Sequence, residues 1–292
     1  MTESITITEP GVYDVPFEQY LADPVPGGSL STSGAKTLIS VCPAAFDYER
    51  KHGRPNKLDF DLGHAAHSKV LGDGMEIAVI PDKLLGANGA TSTKAAKEFI
   101  ADARARGAVP IKSDVAAEVD AMATALREHP IAGKLLDPGR GTPEQSLFWT
   151  DERTGVWRRA RLDSLPHPAL GRMIVVDYKT TDSAKPSAFA KSIARYGYHM
   201  QGDAYIDGIK ALGLADDVAF LLIAQEKTPP YLISVVEMSA PALRIGRARN
   251  QRAIDLFKQC TETNHWPAYV DGIALVDLPI WAEREHEMDL AS

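Results

Sequence analysis

The sequence predicts an α+β fold, similar in layout to an α/β sandwich, with a small mixed β-sheet flanked by helices and a helical N-terminal half. Two observations support this class. Apolar residues recur at helical spacing up to about position 128, whereas alternating apolar runs typical of strands begin at Ser146. After position 186, helical segments alternate with two further strand-like runs. With 292 residues, 45% of them hydrophobic, the chain is long enough for one domain with a sizeable core.

The N-terminal half is predicted to be an arm followed by helices. Residues 1–29 contain many prolines and glycines and are expected to form an extended, irregular arm. A helix is predicted over 31–50, with Ser31 as its N-cap and a kink or break at Pro43.

Further helices are expected at 60–72, 93–107 and 113–128. Ser113 is the predicted N-cap of the last one, and residues 86–93 are expected to form a mobile loop because they are rich in glycine and small polar residues.

The C-terminal half is predicted to be mixed. Expected strands are a hairpin over 146–149 and 156–163, then 173–179, 218–224 and 231–237. Expected helices are 186–212, with a break near Gly197, and 240–263. The predicted domain spans 30–265, and residues 266–292 are expected to form a tail that wraps the surface.

Composition limits the class of protein. Because no run of eighteen apolar residues occurs and the N-terminus lacks a basic region and an apolar region, neither a membrane span nor a signal peptide is expected. Cys42 and Cys260 are the only cysteines, which suits a reducing cytoplasm and excludes a four-cysteine metal cluster within the chain. The net charge of −7 argues against a general nucleic-acid coat but is compatible with a local basic surface.

Two acidic residues and a lysine are the main candidates for chemistry. Asp163 closes the second arm of the predicted hairpin, and Asp177 and Lys179 lie on the next strand. Side chains alternate faces along a strand, so Asp177 and Lys179 share one face and Tyr178 takes the other. An antiparallel neighbour could bring Asp163 to them. Such carboxylates can hold Mg²⁺ for phosphodiester hydrolysis, and the lysine can orient a water or relay its proton.

Other residues could complete this site. His67, in a helix with small neighbours, could add a metal ligand, although a histidine in such a helix is more often an ordinary hydrogen-bonded core or surface residue. Gln201 and Tyr205 lie at i and i+4 and therefore share a helix face. Glu144 is a further acidic candidate.

Arginines cluster near these candidates. Arg159 and Arg161 lie on the first acidic strand, Arg195 follows the second, and Arg247 belongs to a group of arginines on the last predicted helix. These four residues are candidates for contacts with DNA phosphates, and a solvated surface is the alternative.

The order of these segments resembles a known family. The matching stretches are Leu30-Ser-Thr-Ser-Gly-Ala-Lys36, Cys42-Pro43, Gly63-His-Ala-Ala-His67, Glu144, Arg161-Leu-Asp163, Val176-Asp-Tyr-Lys-Thr-Thr-Asp182, Phe189 to Tyr198, Gln201-x-x-x-Tyr205 and Gln225-Glu226-x-x-Pro-Pro230. On these residues the chain resembles the RecE-type (exodeoxyribonuclease VIII) nucleases of phages and prophages. That group lies within the PD-(D/E)XK superfamily, together with the RecB nuclease domain and lambda exonuclease. The resemblance implies a PD-(D/E)XK nuclease core.

The resemblance also implies roles for single residues. His67, Asp163, Asp177 and the carbonyl of Tyr178 are the implied ligands of Mg²⁺, for which Mn²⁺ would substitute. Lys179 is the implied catalytic lysine, and Gln201 with Tyr205 matches an element beside the site. Ala160 stands where the superfamily commonly has glycine, which is a small-for-small change.

The implied function is 5′→3′ exonuclease digestion of linear double-stranded DNA, leaving 3′ single-stranded ends for phage-type recombination. A homo-oligomeric ring and a single-strand annealing partner of the RecT type are implied as well. Two alternatives stay open at this stage: a structure-specific or single-strand endonuclease on the same fold, and a catalytically inactive DNA-binding protein.

Overall fold

The computed structural model describes residues 5–53, 65–67, 69, 76–168 and 171–287. The strands are β1 Gly11–Tyr13, β2 Leu30–Ser31, β3 Ile77–Ile80, β4 Val109–Lys112, β5 Gly141–Thr150, β6 Trp157–Pro166, β7 Met173–Thr181, β8 Val218–Glu226 and β9 Ile233–Glu237. The helices are α1 Phe17–Leu21, α2 Thr32–Ser40, α3 Pro43–His52, α4 Lys94–Ala105, α5 Ser113–Glu128, α6 Ala132–Leu135, α7 Pro186–Tyr196, α8 Tyr198–Ala211, α9 Ala240–Thr263 and α10 Ile280–Glu285.

The predicted α+β class, with small mixed sheets and flanking helices, is confirmed. Within the described residues the strands form three sheets, with orders β1-β5-β6-β2, β3-β4 and β7-β8-β9. The first and third are mixed, because β2 runs parallel to β6 in one and β8 lies between parallel β7 and antiparallel β9 in the other. The strands predicted for one small mixed sheet are thus divided between two mixed sheets in the described residues.

The main core lies between the two mixed sheets and helix α8. It contains side chains from β5, β6, β7 and β8, including Trp149, Leu162, Val175 and Phe220. A second cluster covers the opposite face of β7 and β8, where Val176 and Tyr178 pack near Met122 and Leu126 of α5. Strand β7 is thus covered on both faces, which explains its nearly continuous run of buried residues.

Several N-terminal elements follow the prediction. Ser31 caps α2 by accepting a hydrogen bond from Gly34 N–H at 3.1 Å, and Pro43 opens the separate helix α3. Ser113 is not an N-cap, because it is the first residue of α5 and its hydroxyl donates to Asp82 Oδ1 at 2.7 Å. Of the helix predicted at 60–72, residues 65–67 and 69 are helical and the remainder lies outside the described residues.

The predicted irregular arm contains regular structure. Strand β1 pairs with β5, and Ile7, Val15, Tyr20 and Val25 pack with Phe148 in a separate apolar cluster. The sequence signal was hidden because proline and glycine flank these short elements. Strands β2, β3 and β4 were also missed, since each is only two to four residues long.

The C-terminal half agrees closely with its prediction. Gly197 adopts a left-handed conformation with φ +64° and separates α7 from α8, as expected for a glycine at a helix end. Beyond Trp266 the chain first lies against α3, where the Pro267 carbonyl accepts a hydrogen bond from Ala44 N–H at 3.1 Å. The wrapping of the remaining tail over the surface stays a prediction. Ile273, Leu275 and Val276 are more than four-fifths exposed, and the short helix α10 presents exposed Trp281. None of the helices in the described part of the chain is long and apolar enough to cross a membrane.

Candidate active site

Asp163 and Asp177 meet at the junction between two sheets. Strands β6 and β7 do not pair in a ladder among the described residues, so the predicted antiparallel pairing between them was wrong. Instead, the carboxylate of Asp163 accepts a hydrogen bond from the backbone N–H of Tyr178 at 2.7 Å. The Asp163 side chain therefore connects β6 to β7, in place of the expected backbone pairing, and this connection brings Asp163 and Asp177 together.

Lys179 lies beside Asp177 on β7, as the alternation of strand side chains predicts. Its ammonium contacts Asp177 Oδ2 in an ion pair, and Asp177 is almost fully buried. Burial lowers the pKa of Lys179, but the negative charges of Asp177 and Asp163 outweigh this effect and raise it above its usual range. The amine is therefore a cation at neutral pH.

The two carboxyl groups differ in their affinity for protons. Burial, together with repulsion from Asp163, raises the pKa of Asp177 to about 6 despite the attraction of Lys179. Burial also acts to raise the pKa of Asp163, but the nearby charge and hydrogen bond of His67 and the charge of Lys179 lower it overall. A pair of buried carboxylates with opposite shifts is typical of functional sites.

His67 and Glu144 extend the site on the side of Asp163. His67 Nε2 lies 3.0 Å from Asp163 Oδ1, and His67 Nδ1 lies 3.5 Å from Glu144 Oε1. Burial lowers the pKa of His67, but the charges of Asp163 and Glu144 outweigh it and raise this pKa to about 9. Burial raises the pKa of Glu144, partly opposed by the hydrogen bond from Arg161. The neighbouring His64 lies outside the described residues.

Helix α8 supports the site from the side of Asp177. Gln201 Nε2 donates to Asp177 Oδ1 at 2.7 Å and to the hydroxyl of Tyr205 at 2.8 Å. The Tyr205 hydroxyl in turn donates to the carbonyl of Arg161 at 2.6 Å. The shared helix face of Gln201 and Tyr205 thus links the acidic strand β7 to β6.

The oxygen-rich donor set suits a small hard cation. No three His, Cys, Asp or Glu side chains among the described residues converge on one point as a ready-made metal site. Lys179 and His67 pair with the acids in this arrangement. Mg²⁺ commonly uses one or two carboxylates and keeps its other positions for water and phosphate oxygens. Asp163 and Asp177 meet that need, with His67 and the Tyr178 carbonyl as further candidate ligands.

The four arginines predicted to contact DNA do not converge on this site. Arg159 donates to the carbonyl and hydroxyl of Ser29 and pairs with Asp23, and Arg161 pairs with Glu144 and donates to the Val15 carbonyl. These partners engage both guanidinium groups within the fold, because the N-terminal arm packs across β6 and β5 pairs beside it. Arg195 is exposed at the end of α7, and Arg247 is largely exposed on α9 and pairs with Asp203. Contact with DNA stays a prediction for all four.

Two residues near Lys179 were not singled out from the sequence. The Lys179 ammonium lies 5.3 Å from the ring centroid of Tyr198, and the Lys36 ammonium lies 5.6 Å from the same centroid. Tyr198 could have been found, because it precedes Gln201 by three residues and shares its helix face. Lys36 ends the stretch 30–36 of the family resemblance, but its place beside Tyr198 depends on the packing of α2 near α8.

An acidic pair with a lysine two residues after the second acid, in a mixed α+β core, defines a PD-(D/E)XK-type protein. A family model described as "PDDEXK-like domain of unknown function (DUF3799)" matches residues 31–279, and the chain belongs to this family. Its members share the fold of the PD-(D/E)XK nuclease superfamily.

Comparisons with individual proteins add to the evidence for the fold. Among solved structures, the chain is similar to a crystal structure described as "Putative exonuclease" from Eubacterium rectale, with a TM-score of 0.60. The two chains are 12% identical, and the match covers 94% of this chain and 98% of that chain. We found no match among curated proteins.

Proposed function

We propose that this protein is a metal-dependent exonuclease that hydrolyses the phosphodiester bonds of linear double-stranded DNA. The observation that carries the proposal is the contact of three groups: buried Asp177, its ion-pair partner Lys179, and Asp163 hydrogen-bonded to the intervening residue Tyr178. The family and fold support a nuclease. The RecE-type motifs and the name of the Eubacterium rectale structure favour the exonuclease class.

Each residue has a defined role in the proposal. Asp163, Asp177, His67 and the Tyr178 carbonyl would hold Mg²⁺, which would supply a Lewis acid for the charge that develops on the phosphate. Lys179 is a cation in the pair with Asp177, so it can donate hydrogen bonds but cannot accept a proton there. It therefore orients the attacking water and stabilises negative charge. Gln201 and Tyr205 hold Asp177 in position, and Glu144 orients His67.

The first experiment asks whether cleavage depends on a DNA end. A linear duplex is labelled separately at each 5′ and 3′ terminus and incubated with Mg²⁺, beside a covalently closed circular duplex of the same sequence. The proposal expects digestion of the linear DNA, release of the 5′ label first, and an intact circle. Cleavage of the circle would favour the endonuclease alternative. Binding of DNA without any cleavage in Mg²⁺ or Mn²⁺ would favour an inactive DNA-binding protein.

The second experiment concerns the metal. Mg²⁺ or Mn²⁺ should support cleavage, and Ca²⁺ should bind without supporting it because its coordination is larger and less regular. Asp177→Asn should weaken Mn²⁺ binding by more than about 100-fold, because loss of an outer partner alone commonly costs about 10- to 100-fold. Unchanged Mn²⁺ affinity in calorimetry would contradict the metal role of Asp177.

We further propose that the protein forms a homo-oligomer, and that a second copy covers the exposed apolar segment after Trp266. Ile273, Leu275, Val276 and Trp281 lie within nine residues of the chain and are each at least 70% exposed. Exposed apolar surface of this kind commonly marks an interaction site. Light scattering should detect an oligomer, and Ile273→Ser with Leu275→Ser should shift it toward monomer. A monomeric wild-type protein would contradict this proposal.

The role in recombination rests on the resemblance to RecE-type nucleases. Digestion of 5′-ended strands leaves 3′ single-stranded tails, and a single-strand annealing protein of the RecT type would use them. Coupled assays should show faster annealing of two resected duplexes when such a protein is present during digestion. Release of 3′ labels first would contradict this role.

A further inference from the structure

A strip of aromatic and basic side chains runs from the surface to Lys179. Tyr196, the last residue of α7, and Tyr198, the first residue of α8, have ring centroids 5.8 Å apart at an interplanar angle of 32°. Tyr196 is 51% exposed, whereas Tyr198 is half-buried with Phe189 behind it at 6.2 Å. We call Tyr196 and Tyr198 the tyrosine platform.

Positively charged side chains lie close to both rings of the tyrosine platform. The guanidinium of Arg195 lies 5.6 Å from the ring centroid of Tyr196. The ammonium groups of Lys36 and Lys179 lie 5.6 Å and 5.3 Å from the ring centroid of Tyr198. The platform is therefore continuous with the candidate active site at one end and open to solvent at the other.

Gly197 makes this arrangement possible. Its φ of +64° is in the left-handed region, which glycine adopts without the strain that a side chain would cause. A Cβ at this position would lie 3.2 Å from Cε of Lys36. The glycine thus turns the chain between the two tyrosines and leaves room for the stem of Lys36 to cross over the turn.

About half of Tyr196 remains in water after folding, so an aromatic surface beside Tyr198 is left accessible to a ligand. Aromatic rings next to basic groups are how proteins bind single-stranded nucleic acid, because each base offers a π-face and each nucleotide a phosphate. In an intact duplex those π-faces are covered by neighbouring bases. A base can stack on the platform only where the strand is unpaired.

We propose that the tyrosine platform stacks unpaired bases of the strand that enters the active site, with Lys36 and Arg195 contacting the adjoining phosphates. This inference rests on the proposed nuclease function and defines the form of its substrate. The protein acts on an unpaired strand next to Lys179, even when the DNA supplied is a duplex with an open end.

The test measures binding separately from cleavage. Single-stranded DNA carrying the fluorescent base analogue 2-aminopurine is titrated in Ca²⁺, where turnover is not expected, and anisotropy of a terminal dye gives the affinity. Tyr196→Ala should weaken binding of the single strand by about tenfold and abolish the 2-aminopurine quenching, because one stacked base is lost. Tyr196→Trp should retain both signals, because it keeps an aromatic face.

Two controls make the result specific. Tyr48→Ala removes another exposed tyrosine, whose ring stacks on His52 of α3, and should leave single-strand affinity unchanged. Tyr196→Leu keeps apolar bulk without a π-system and should behave like Tyr196→Ala. Wild-type affinity in Tyr196→Ala, or full retention of affinity in Tyr196→Leu, would overturn the platform.

The readouts separate this inference from the proposed function. If the wild-type protein shows Tyr196-dependent quenching in Ca²⁺ but no hydrolysis in Mg²⁺ or Mn²⁺, the platform is supported and the nuclease proposal fails. The opposite outcome is hydrolysis by the wild type together with a Tyr196→Ala variant that matches the wild type in single-strand affinity, quenching and cleavage rate. In that case the nuclease proposal stands and the platform fails.

Discussion

The backbone N–H of Tyr178 donates to the carboxylate of Asp163 at 2.7 Å, and this hydrogen bond joins strands of two different sheets. Tyr178 separates Asp177 from Lys179 on β7, so the position of its backbone determines where both side chains project. The same residue points its ring to the opposite face of β7, where the hydroxyl donates to the buried side chain of Gln225 at 2.5 Å. One residue therefore anchors the candidate catalytic strand on both sides.

Lys179→Ala should abolish DNA cleavage while leaving DNA binding in Ca²⁺ within a few-fold of wild type. The expected rate loss is more than about 100-fold, comparable to the loss of one donor to a developing negative charge. Single-turnover rates on end-labelled duplex and anisotropy titrations would measure both effects. Lys210→Ala, at an exposed lysine on α8, is the matched control. Near-normal cleavage by Lys179→Ala would remove this residue from the mechanism.

Metal binding should release a proton near pH 7. The pKa of His67 is raised to about 9, so the ring is protonated in the metal-free protein and must lose its proton to become a ligand. Calorimetry of Mn²⁺ binding in buffers of different ionisation enthalpy should therefore detect about one released proton. His67→Gln should reduce this number to near zero, and the exposed His265→Gln should not change it. An unchanged proton count in His67→Gln would exclude His67 as a ligand.

The stability of the metal-free protein should decrease as the pH rises. The pKa of Asp177 is raised from 3.8 to about 6 and that of His67 from 6.5 to about 9, so the folded state binds more protons than the unfolded state in both windows. For each group, the stabilisation is complete at a pH below its pKa in the unfolded state, and it is lost as the pH rises through its pKa in the folded state. Urea unfolding in EDTA between about pH 5 and pH 9 would measure it. Stability that rises across this range would contradict both shifts.

Tyr205→Phe should reduce both stability and rate. The Tyr205 hydroxyl is a donor to the Arg161 carbonyl and an acceptor from Gln201, and its loss removes one partner from each of these part-buried groups. The free energy of unfolding should fall by about 1–3 kcal/mol. The rate should fall about tenfold because Gln201 also holds Asp177. Tyr13→Phe removes an exposed hydrogen bond to Glu9 and should change neither quantity measurably.

Gln225→Met should destabilise the protein through its two buried partners. Gln225 accepts from the Tyr178 hydroxyl and donates to the Met122 carbonyl at 2.9 Å, so methionine leaves the buried hydroxyl without this acceptor and removes the side-chain bond to a carbonyl inside α5. We expect a loss of about 1–3 kcal/mol in the free energy of unfolding. Gln251→Met, at an exposed position of α9, is the control for the substitution itself.

A double-mutant cycle would isolate the Tyr178–Gln225 interaction. Because Tyr178→Phe removes the hydroxyl that Gln225→Met would leave unsatisfied, the double variant should lose less stability than the sum of the two single variants. Strictly additive effects in chemical denaturation would show that the hydrogen bond between these side chains contributes nothing.

Much of the fold follows from local patterns. The break at Gly197 and the helix α9 were predicted close to their observed bounds, because each has a clear period and a clear end signal. The hairpin β5–β6 was predicted at the right place, but β5 begins five residues earlier than expected. The grouping of Asp177 with Lys179, and of Gln201 with Tyr205, was also predictable, since both pairs depend only on the geometry of one strand or one helix.

Long-range partners could not be predicted in the same way. Arg159 and Arg161 have the same sequence signature as DNA-binding arginines, yet the N-terminal arm gives Arg159 the partner Asp23, and the neighbouring strand β5 gives Arg161 the partner Glu144. The local sequence around an arginine looks similar whether its side chain binds DNA or pairs with an acid inside the fold. Only the neighbours that folding brings to it decide whether it is available to a phosphate.

The sequence by itself determined the α+β class, the elements of the C-terminal half and the candidate acids with their lysine, because these depend on short-range periodicity and residue chemistry. The tertiary structure alone decided that β6 and β7 belong to different sheets, that Asp163 reaches across to Tyr178, and that Lys36 lies beside Tyr198. These contacts join residues far apart in the chain. They form only when the packing of whole elements outweighs the entropy lost in closing the loops between them.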